Sequence, residues 1–395
     1  MAAIPFFSAP HRMMFAGGVV QALAAMALWT WELLGRLPTP LQAPAWPWPP
    51  AWIHGGLMVF SIFPWFVFGF LMTALPKWMA ARPLPQRRFV PPFTLMAAGW
   101  VLFYLGLLWP LLAPIGLAVA VAGWVGGGLA LWRAVVGSLN DRRHADAVLV
   151  TLALGAAGLA VYAVALAQAD AFLFRLAIET GLWGCLAPTF FTVLHRMLPF
   201  FTGAMVRGYR DYQPGWALWT VLAAFFGHGL CAILGVTAWR WLPDLVATAV
   251  VLHLSSRWGL RASFPFPMLA TLHLGLLWLV VALVLYSVQA LAVLSGDSWG
   301  GLLPLHALGA GFFASILIGM ATRVTLGHSG RPIAGDRWGW RLFLVLQGVV
   351  VLRLAGEFAS LFNLAAAFGW LVVFGGWAAV HLPMYLKARP DGQPG

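Results

Sequence analysis

The sequence predicts an all-α membrane protein, a polytopic helix bundle with about 12 transmembrane helices. Hydrophobic residues make up 62% of the 395 residues and charged residues only 9%, whereas soluble domains are about a quarter charged. The apolar residues also fall into runs of about 20, the length that crosses a bilayer as a helix. Tryptophan and phenylalanine occur 23 and 28 times, which suits packed spans and interfacial aromatic belts. We therefore expect one integral membrane domain over residues 1–395.

Twelve apolar runs predict the individual helices. They cover residues 13–34, 52–75, 90–109, 112–134, 147–168, 171–199, 215–239, 243–258, 266–290, 302–325, 338–361 and 364–386. The run at 112–134 closely follows its neighbour and the run at 243–258 is short, so these two are the least clear. Pro64 and Pro188 are expected to kink the second and sixth helices. Leu37 to Ala51 is rich in proline and should form a stiff, extended connection.

The basic residues predict the orientation in the membrane. If the twelve runs alternate, nineteen of the 23 Lys and Arg residues fall on the side of the N-terminus. Short cytoplasmic connections are enriched in Lys and Arg, so both termini are expected in the cytoplasm. The same connections explain the formal net charge of +12, and no nucleic-acid partner is expected. Cys185 and Cys231 lie in apolar runs without a CxxC spacing, which favours neither a disulfide framework nor a thiolate metal site.

Histidines at the ends of the runs are candidate ligands. Ionisable residues are rare within membrane spans, and imidazole binds haem iron and copper. Their predicted depths allow an outer site that uses His54 and His306 and an inner site that uses His273 and His328. The alternative for any one of them is a hydrogen-bonded packing residue. His228 is expected near mid-membrane.

Three further histidines have plainer interpretations. His11 and His144 fall in cytoplasmic connections and are expected to be solvated. His195 stands beside Arg196 at an inner boundary, where a snorkelling cation is the simplest interpretation.

Two oppositely charged pairs occur within apolar runs at helical spacing. Arg353 and Glu357 lie four residues apart, as do Arg175 and Glu179, so each pair shares one helix face. An unpaired charge in the hydrocarbon would cost about 3 kcal/mol or more. Each pair is therefore either part of a proton path or a propionate partner, or two charges that neutralise each other where helices pack.

The tenth run ends in the segment His328-Ser-Gly-Arg-Pro. Gly330 permits a tight turn and Pro332 stops a helix, so His328 can fold back toward the bundle. Arg323 and Arg331 flank it, as would suit haem propionates or an anionic headgroup. The alternative is an ordinary basic loop.

Several stretches, taken together, carry a resemblance to a known family. They are APHRMMFAGG (9–18), HGGLMVFSIFPWFVFGFLMTALPKWM (54–79), RMLPFFTG (196–203), LHLGLLWL (272–279) and Leu305 to Pro332, which ends in MATRVTLGHSGRP. They resemble the NnrS family, haem- and copper-containing membrane proteins linked to nitric oxide. The stretches run from the first predicted helix to the end of the tenth.

The resemblance implies a twelve-span protein of the bacterial inner membrane that binds haem, of the b type, and copper. The implied role is protection against nitric oxide and nitrosative stress, often alongside denitrification. By motif, the implied cofactor-binding residues are His54, His273, His306, His328, Arg323 and Arg331, with the same four histidines as metal ligands. His11, in the opening motif, is a weaker candidate metal ligand. Many members carry a second histidine two residues before the one that matches His54, and Trp52 occupies that place here.

The function that we expect from this resemblance is a membrane oxidoreductase acting on nitric oxide, with a quinol or another membrane donor supplying electrons. Arg353 and Glu357 are the candidate catalytic residues, as a route for protons. One alternative is a transporter of copper, haem or a nitrogen compound, although the chain has no obvious inverted halves. Another is a non-catalytic haem electron carrier or sensor. Gas consumption by the isolated protein would separate an enzyme from a carrier.

Overall fold

The structure, a computed structural model, describes residues 5–38, 40–332 and 337–390. Each of the twelve predicted runs is found as a helix, and no strand occurs among these described residues. The helices are α1 (Pro10–Gly35), α2 (Pro50–Trp78), α3 (Gln86–Leu105), α4 (Leu112–Val135), α5 (Arg143–Gln168), α6 (Ala171–Met205), α7 (Gly215–Ile233), α8 (Trp241–Arg257), α9 (Pro267–Leu294), α10 (Leu303–His328), α11 (Arg337–Ala355) and α12 (Leu361–Leu386).

Eleven of these helices are long and apolar enough to cross a membrane. The remaining one, α8, has 17 residues, or about 26 Å of helix against a hydrocarbon core of about 30 Å. It corresponds to the short run at 243–258, while the other uncertain run, at 112–134, is the fully apolar α4. The all-α, polytopic membrane fold predicted from composition is therefore confirmed.

Prolines and glycines set many of the helix boundaries. Pro10, Pro50 and Pro267 each begin a helix, where the missing N–H has no intrahelical partner to lose. Gly235, with φ of +75°, follows α7, and Gly330, with φ of +71°, follows α10. Both glycines take the left-handed conformation that commonly terminates a helix.

Three helices contain a π-helical segment, and they are every fourth helix along the chain. The segments are Leu57–Ile62 in α2, Thr180–Leu186 in α6 and Ala307–Phe313 in α10. Pro64 and Pro188 follow the first two by two residues. A proline clashes with the carbonyl four residues earlier and removes one hydrogen bond, and a wider π turn accommodates that defect. The distortions predicted at Pro64 and Pro188 therefore take the form of π segments.

The helices form two compact units. The first unit comprises Met1–Leu186, Val324–Arg331 and Phe374–Gly395, and the second comprises Ala187–Arg323 and Pro332–Val373. In the first unit α3 and α4 approach closely at glycines. A Cβ added at Gly99 would lie 2.6 Å from the backbone oxygen of Gly116 and 2.6 Å from the backbone nitrogen of Ala120.

Residues 40–49 of the proline-rich connection after α1 are irregular, whereas Pro50 and Ala51, predicted to extend it, begin α2, and two tryptophans hold the connection in place. The indole N–H of Trp46 donates to the buried carboxylate of Glu32 at 2.6 Å, and that of Trp48 donates to the Leu166 carbonyl at 2.8 Å. Glu32 also accepts a hydrogen bond from Arg36 at 2.9 Å. These bonds fix the start of α2, where the first predicted ligand lies.

Candidate functional site

His54 is held against an aromatic wall in the first unit. Its imidazole stacks on the indole of Trp29, with ring centres 4.2 Å apart and planes 20° apart. The Arg36 guanidinium lies 5.2 Å from the same indole. A small cavity next to His54 is lined by Trp29, Trp46, Ile53 and other apolar side chains. The stacking restricts the orientation of the His54 ring beside a space that is mostly apolar.

Three histidines share one hydrogen-bonding arrangement. Nδ1 of His306, His328 and His381 each lies within 3.0 Å of the backbone carbonyl four residues earlier. Because a carbonyl only accepts, Nδ1 carries the proton and the lone pair is on Nε2. A bond of this kind fixes the tautomer of metal-binding histidines, so these rings have the tautomer that a ligand requires.

His11 and His328 lie side by side in the first unit. Their ring centres are 4.9 Å apart and their planes are inclined at 48°. His328 Nε2 accepts from Lys77 Nζ at 3.3 Å, and Lys77 is exposed, so its ammonium group can move away. Nδ1 of His11 is buried and has no hydrogen-bond partner in the part of the chain that the structure describes. Two imidazoles from different helices are thus in place for a shared ligand.

The end of α10 forms the turn that the sequence predicts. The Arg331 backbone N–H donates to the Leu326 carbonyl at 3.1 Å, the bond of a helix that ends at a left-handed glycine. Before this turn, in the second unit, the Arg323 guanidinium lies 3.8 Å from the centre of the Phe201 ring. A guanidinium that stacks on an aromatic face keeps its N–H edge for an anion. Arg331 itself is half-buried.

His273 is a buried imidazole without hydrogen bonds. It lies in the second turn of α9, in the second unit, and its side chain is 1% exposed. Neither ring nitrogen has a hydrogen-bond partner among the described residues. Burying such a group without partners costs about 1–3 kcal/mol, so the observation calls for a ligand or a functional reason.

Each of the two predicted histidine pairs has one member in the first unit and one in the second. His54 and His328 belong to the first unit, whereas His306 and His273 belong to the second. The outer pairing of His54 with His306 and the inner pairing of His273 with His328 therefore stay predictions. The partner that the structure gives His328 within its own unit is His11.

The pair Arg353 and Glu357 lies at the end of α11 and reaches beyond it. Arg353 Nη1 and Glu357 Oε1 are 2.9 Å apart, with 18% and 19% of the side chains exposed. Glu357 lies two residues after Ala355, the last helical residue, and its Oε2 accepts from the Leu302 backbone N–H at 3.1 Å. The pair therefore anchors the connection before α10 in addition to neutralising its own charges. In the other predicted pair, Arg175 lies over the ring of Phe172, 5.5 Å from its centre.

The structure corrects three of the plainer histidine predictions. His11 and His144, expected to be solvated, are 2% and 1% exposed, because each lies in the first turn of a helix that packs against others. His195 is also buried, and its Nε2 donates to the Pro214 carbonyl at 3.2 Å. This bond gives His195 a packing role rather than that of a snorkelling side chain.

The sequence did not predict a pair formed by His228 and Asp244. His228 Nδ1 lies 2.7 Å from Asp244 Oδ1, and both side chains are buried. His228 lies five residues before the end of α7 at Ile233, and its predicted depth near mid-membrane stays a prediction. The available signal was the presence of two ionisable residues in apolar helices, but their separation of 16 residues has no helical periodicity.

The chemistry of these side chains fits haem and copper. If His273 held a haem iron, one of its ring nitrogens, which are buried without a partner among the described residues, would be satisfied. Imidazoles also suit copper, and His11 and His328 supply two of them. Across residues 5–38, 40–332 and 337–390, no three His, Cys, Asp or Glu side chains are grouped to hold a metal ion.

One comparison with known proteins identifies a family for this chain. No curated protein matches the chain. The sequence profile of one family, described as NnrS protein, matches residues 5–389. Because this match covers nearly the whole of a chain with eleven helices suited to crossing a membrane, the protein is a multi-pass membrane protein that belongs to the NnrS family.

Proposed function

We propose that this protein binds haem and copper within the bacterial inner membrane and removes nitric oxide as an oxidoreductase. The proposal extends family membership to an activity that would protect against nitrosative stress and accompany denitrification. The cytoplasmic location of both termini, predicted from the basic residues, is part of the same proposal. Nitric oxide is small and apolar, so it partitions into the bilayer and can reach a buried site without a polar channel.

The observation that carries the proposal is His273, buried with both ring nitrogens unpartnered among the described residues. A packing histidine would be expected to use at least one nitrogen in a hydrogen bond, as His195 does with Pro214. We assign His273 to haem ligation, and His54 and His306 are further candidate haem ligands, each considered within its own unit. His11 and His328 would hold copper through their adjacent rings.

Haem and copper, when bound, supply the centre at which nitric oxide binds and accepts electrons. The protein supplies orientation and charge around that centre. The bonds from Nδ1 to backbone carbonyls direct the lone pairs of His306 and His328 to Nε2, and Trp29 restricts the His54 ring. Arg323 and Arg331 would bind the haem propionates through charge-assisted hydrogen bonds.

Reduction of nitric oxide to nitrous oxide and water consumes electrons and protons in equal number. A membrane quinol is the proposed electron donor. We propose that Glu357 carries protons, with Arg353 holding its carboxylate in place at 2.9 Å.

The first test is a visible spectrum of the purified protein, oxidised and reduced, together with metal analysis. We expect a reduced haem band that nitric oxide shifts, and His273→Ala should lose it. His253→Ala is the matched control, because His253 is exposed and its Nε2 is within hydrogen-bond distance of the Tyr212 hydroxyl. A colourless, metal-free protein, prepared with haem and copper supplied, would overturn the proposal and favour a transporter.

A further inference from the structure

His228 and Asp244 form a buried pair of titratable groups that lies outside the proposed haem and copper ligands. The two side chains are 0% and 1% exposed, and Nδ1 and Oδ1 are 2.7 Å apart. The pair joins α7 to α8 within the second unit, close to the connection between them. Ionisable residues are costly inside membrane proteins and usually have a functional reason.

A carboxylate and an imidazole in this contact can hold one exchangeable proton. With a neutral ring, Nδ1–H donates to the carboxylate and the pair has a net charge of −1. A proton added at Nε2 gives an imidazolium–carboxylate pair with no net charge. Because burial penalises net charge, the surroundings favour proton uptake.

Arg240 provides the opposing influence. It precedes Asp244 by one helical turn, and the Asp244 backbone N–H donates to its carbonyl at 3.1 Å. Its guanidinium lies 5.2 Å from the ring centre of Tyr286, whose ring meets that of His228 edge to face at 4.6 Å. The positive charge of Arg240 balances the −1 charge of the pair after it has lost a proton, so Arg240 favours proton release.

Two further titratable groups among the described residues face the pair: Cys231, one turn from His228 on α7, and Tyr286 on α9. Asp244 Oδ2 and Thr248 Oγ1 are buried and have no hydrogen-bond partner among the residues that the structure describes. They lie one turn apart on α8. Asp244 can therefore accept a further hydrogen bond at Oδ2, in addition to its bond with His228.

Polar contacts lead from Arg240 to the exposed connection between α9 and α10. Arg240 Nη2 donates to Gln289 Oε1 at 3.4 Å, and Gln289 Nε2 donates to the Gly301 carbonyl at 2.9 Å. The next residue, Leu302, donates its N–H to Glu357. The connection between α9 and α10 thus contacts the Arg240 side chain through Gln289 and also contacts Glu357.

We propose that His228 and Asp244 are a proton-loading site, which takes up and releases one proton at the end of α7 and α8 with Arg240 as its counter-charge. The site needs no bound cofactor. Proton-consuming chemistry elsewhere in the protein would draw on it.

The test is ¹⁵N NMR of the full-length protein with ¹⁵N-labelled histidine, in lipid vesicles. One buried imidazole should change reversibly between neutral and charged forms over the range from about pH 5 to about pH 9. His228→Gln should remove that signal, whereas His253→Gln should remove a different one. In Asp244→Asn, which is nearly isosteric, the ratio of charged to neutral His228 should fall at least about tenfold at a given pH.

Arg240→Gln tests the counter-charge without altering the pair. This variant should hold the proton to a higher pH than wild type, and Arg240→Lys should restore the wild-type profile. A His228 signal that stays in one form across the range, or one that Asp244→Asn leaves unchanged, would overturn the proposal. Because the measurement requires neither haem nor nitric oxide, its outcome is independent of the proposed redox function.

Discussion

Replacing His273 by leucine should stabilise the protein without cofactor and destabilise the protein with it. In the apoprotein, His273 buries an N–H donor and a lone pair that have no partners among the described residues. Leucine has a similar volume and no polar atoms. The substitution therefore removes an unsatisfied group at little cost in packing, which is the reverse of the usual effect of a core substitution.

The expected gain is about 1–3 kcal/mol, the cost of leaving a buried polar group unsatisfied. At an unfolding entropy of about 2.1 cal/mol/K per residue, the 395 residues give about 0.8 kcal/mol per degree. The apoprotein of His273→Leu should thus melt about 1–4 °C higher than wild type. With haem at about 100 times its Kd, wild type gains about 2.7 kcal/mol from binding, or about 3 °C, and the variant should lose this gain.

Thermal unfolding in lipid nanodiscs, with and without haem, measures both effects. His253→Leu is the control, since the exposed His253 is paired with the Tyr212 hydroxyl and should change neither melting temperature by more than about 1 °C. If the apoprotein of His273→Leu melts lower than wild type, His273 is a packing residue and the reasoning fails. If both variants respond equally to haem, His273 is not its ligand.

Three further predictions follow from specific contacts. His11→Ala and His328→Ala should each remove the same bound copper, measured by metal analysis. His381→Ala is the control and should retain the copper. Loss of copper in His11→Ala or His328→Ala alone would contradict a shared site. Glu357→Gln can still accept from the Leu302 N–H, so haem content and melting temperature should not change. Because glutamine cannot carry a proton, nitric oxide turnover should slow about tenfold or more. Unchanged turnover would remove Glu357 from the proton route. Gly99→Val places its Cβ 2.6 Å from backbone atoms of α4 and should cost about 3 kcal/mol or more, seen as reduced accumulation in the membrane. Gly128→Val is the control, because no atom lies within 4 Å of an added Cβ, and it should accumulate normally. Equal levels of Gly99→Val and Gly128→Val in the membrane would refute the close approach of α3 and α4.

The fold could be predicted from the sequence because a bilayer imposes one simple rule. Every span must satisfy its own backbone hydrogen bonds, so length and hydropathy locate the helices. The helix ends were less predictable. The predicted run at 338–361 extends six residues past Ala355, where α11 ends. The sequence gives no sign of this end, because Glu357 and the residues around it are no more polar than the last turn of the helix. The predicted orientation rests on charge alone and stays a prediction.

The candidate site was harder to predict from the sequence than the fold, for a different reason. Each histidine could be placed at a depth along its own helix, but depth does not determine the neighbours of a side chain. His11 was assigned to solvent because it stands next to Arg12 before the first apolar run. In the structure Arg12 Nη1 donates to the Lys387 carbonyl at 2.8 Å, so a charge that suggested exposure instead holds the start of α1 against the end of α12. The proximity of His11 and His328 follows from this packing, which has no local sequence signal.

The π segments connect the placement of ionisable residues with helix geometry. His54, Glu179 and His306 precede the three segments by three, one and one residues. A π turn inserts one residue and rotates the preceding part of the helix by about 100° relative to the part that follows. An apolar helix can then pack its C-terminal half in the core while it directs a polar side chain from another face. Hydropathy averages along a helix and contains no information about this rotation. The sequence therefore identifies His54, Glu179 and His306 as ionisable residues in apolar helices, but it does not show which face of the helix each one occupies.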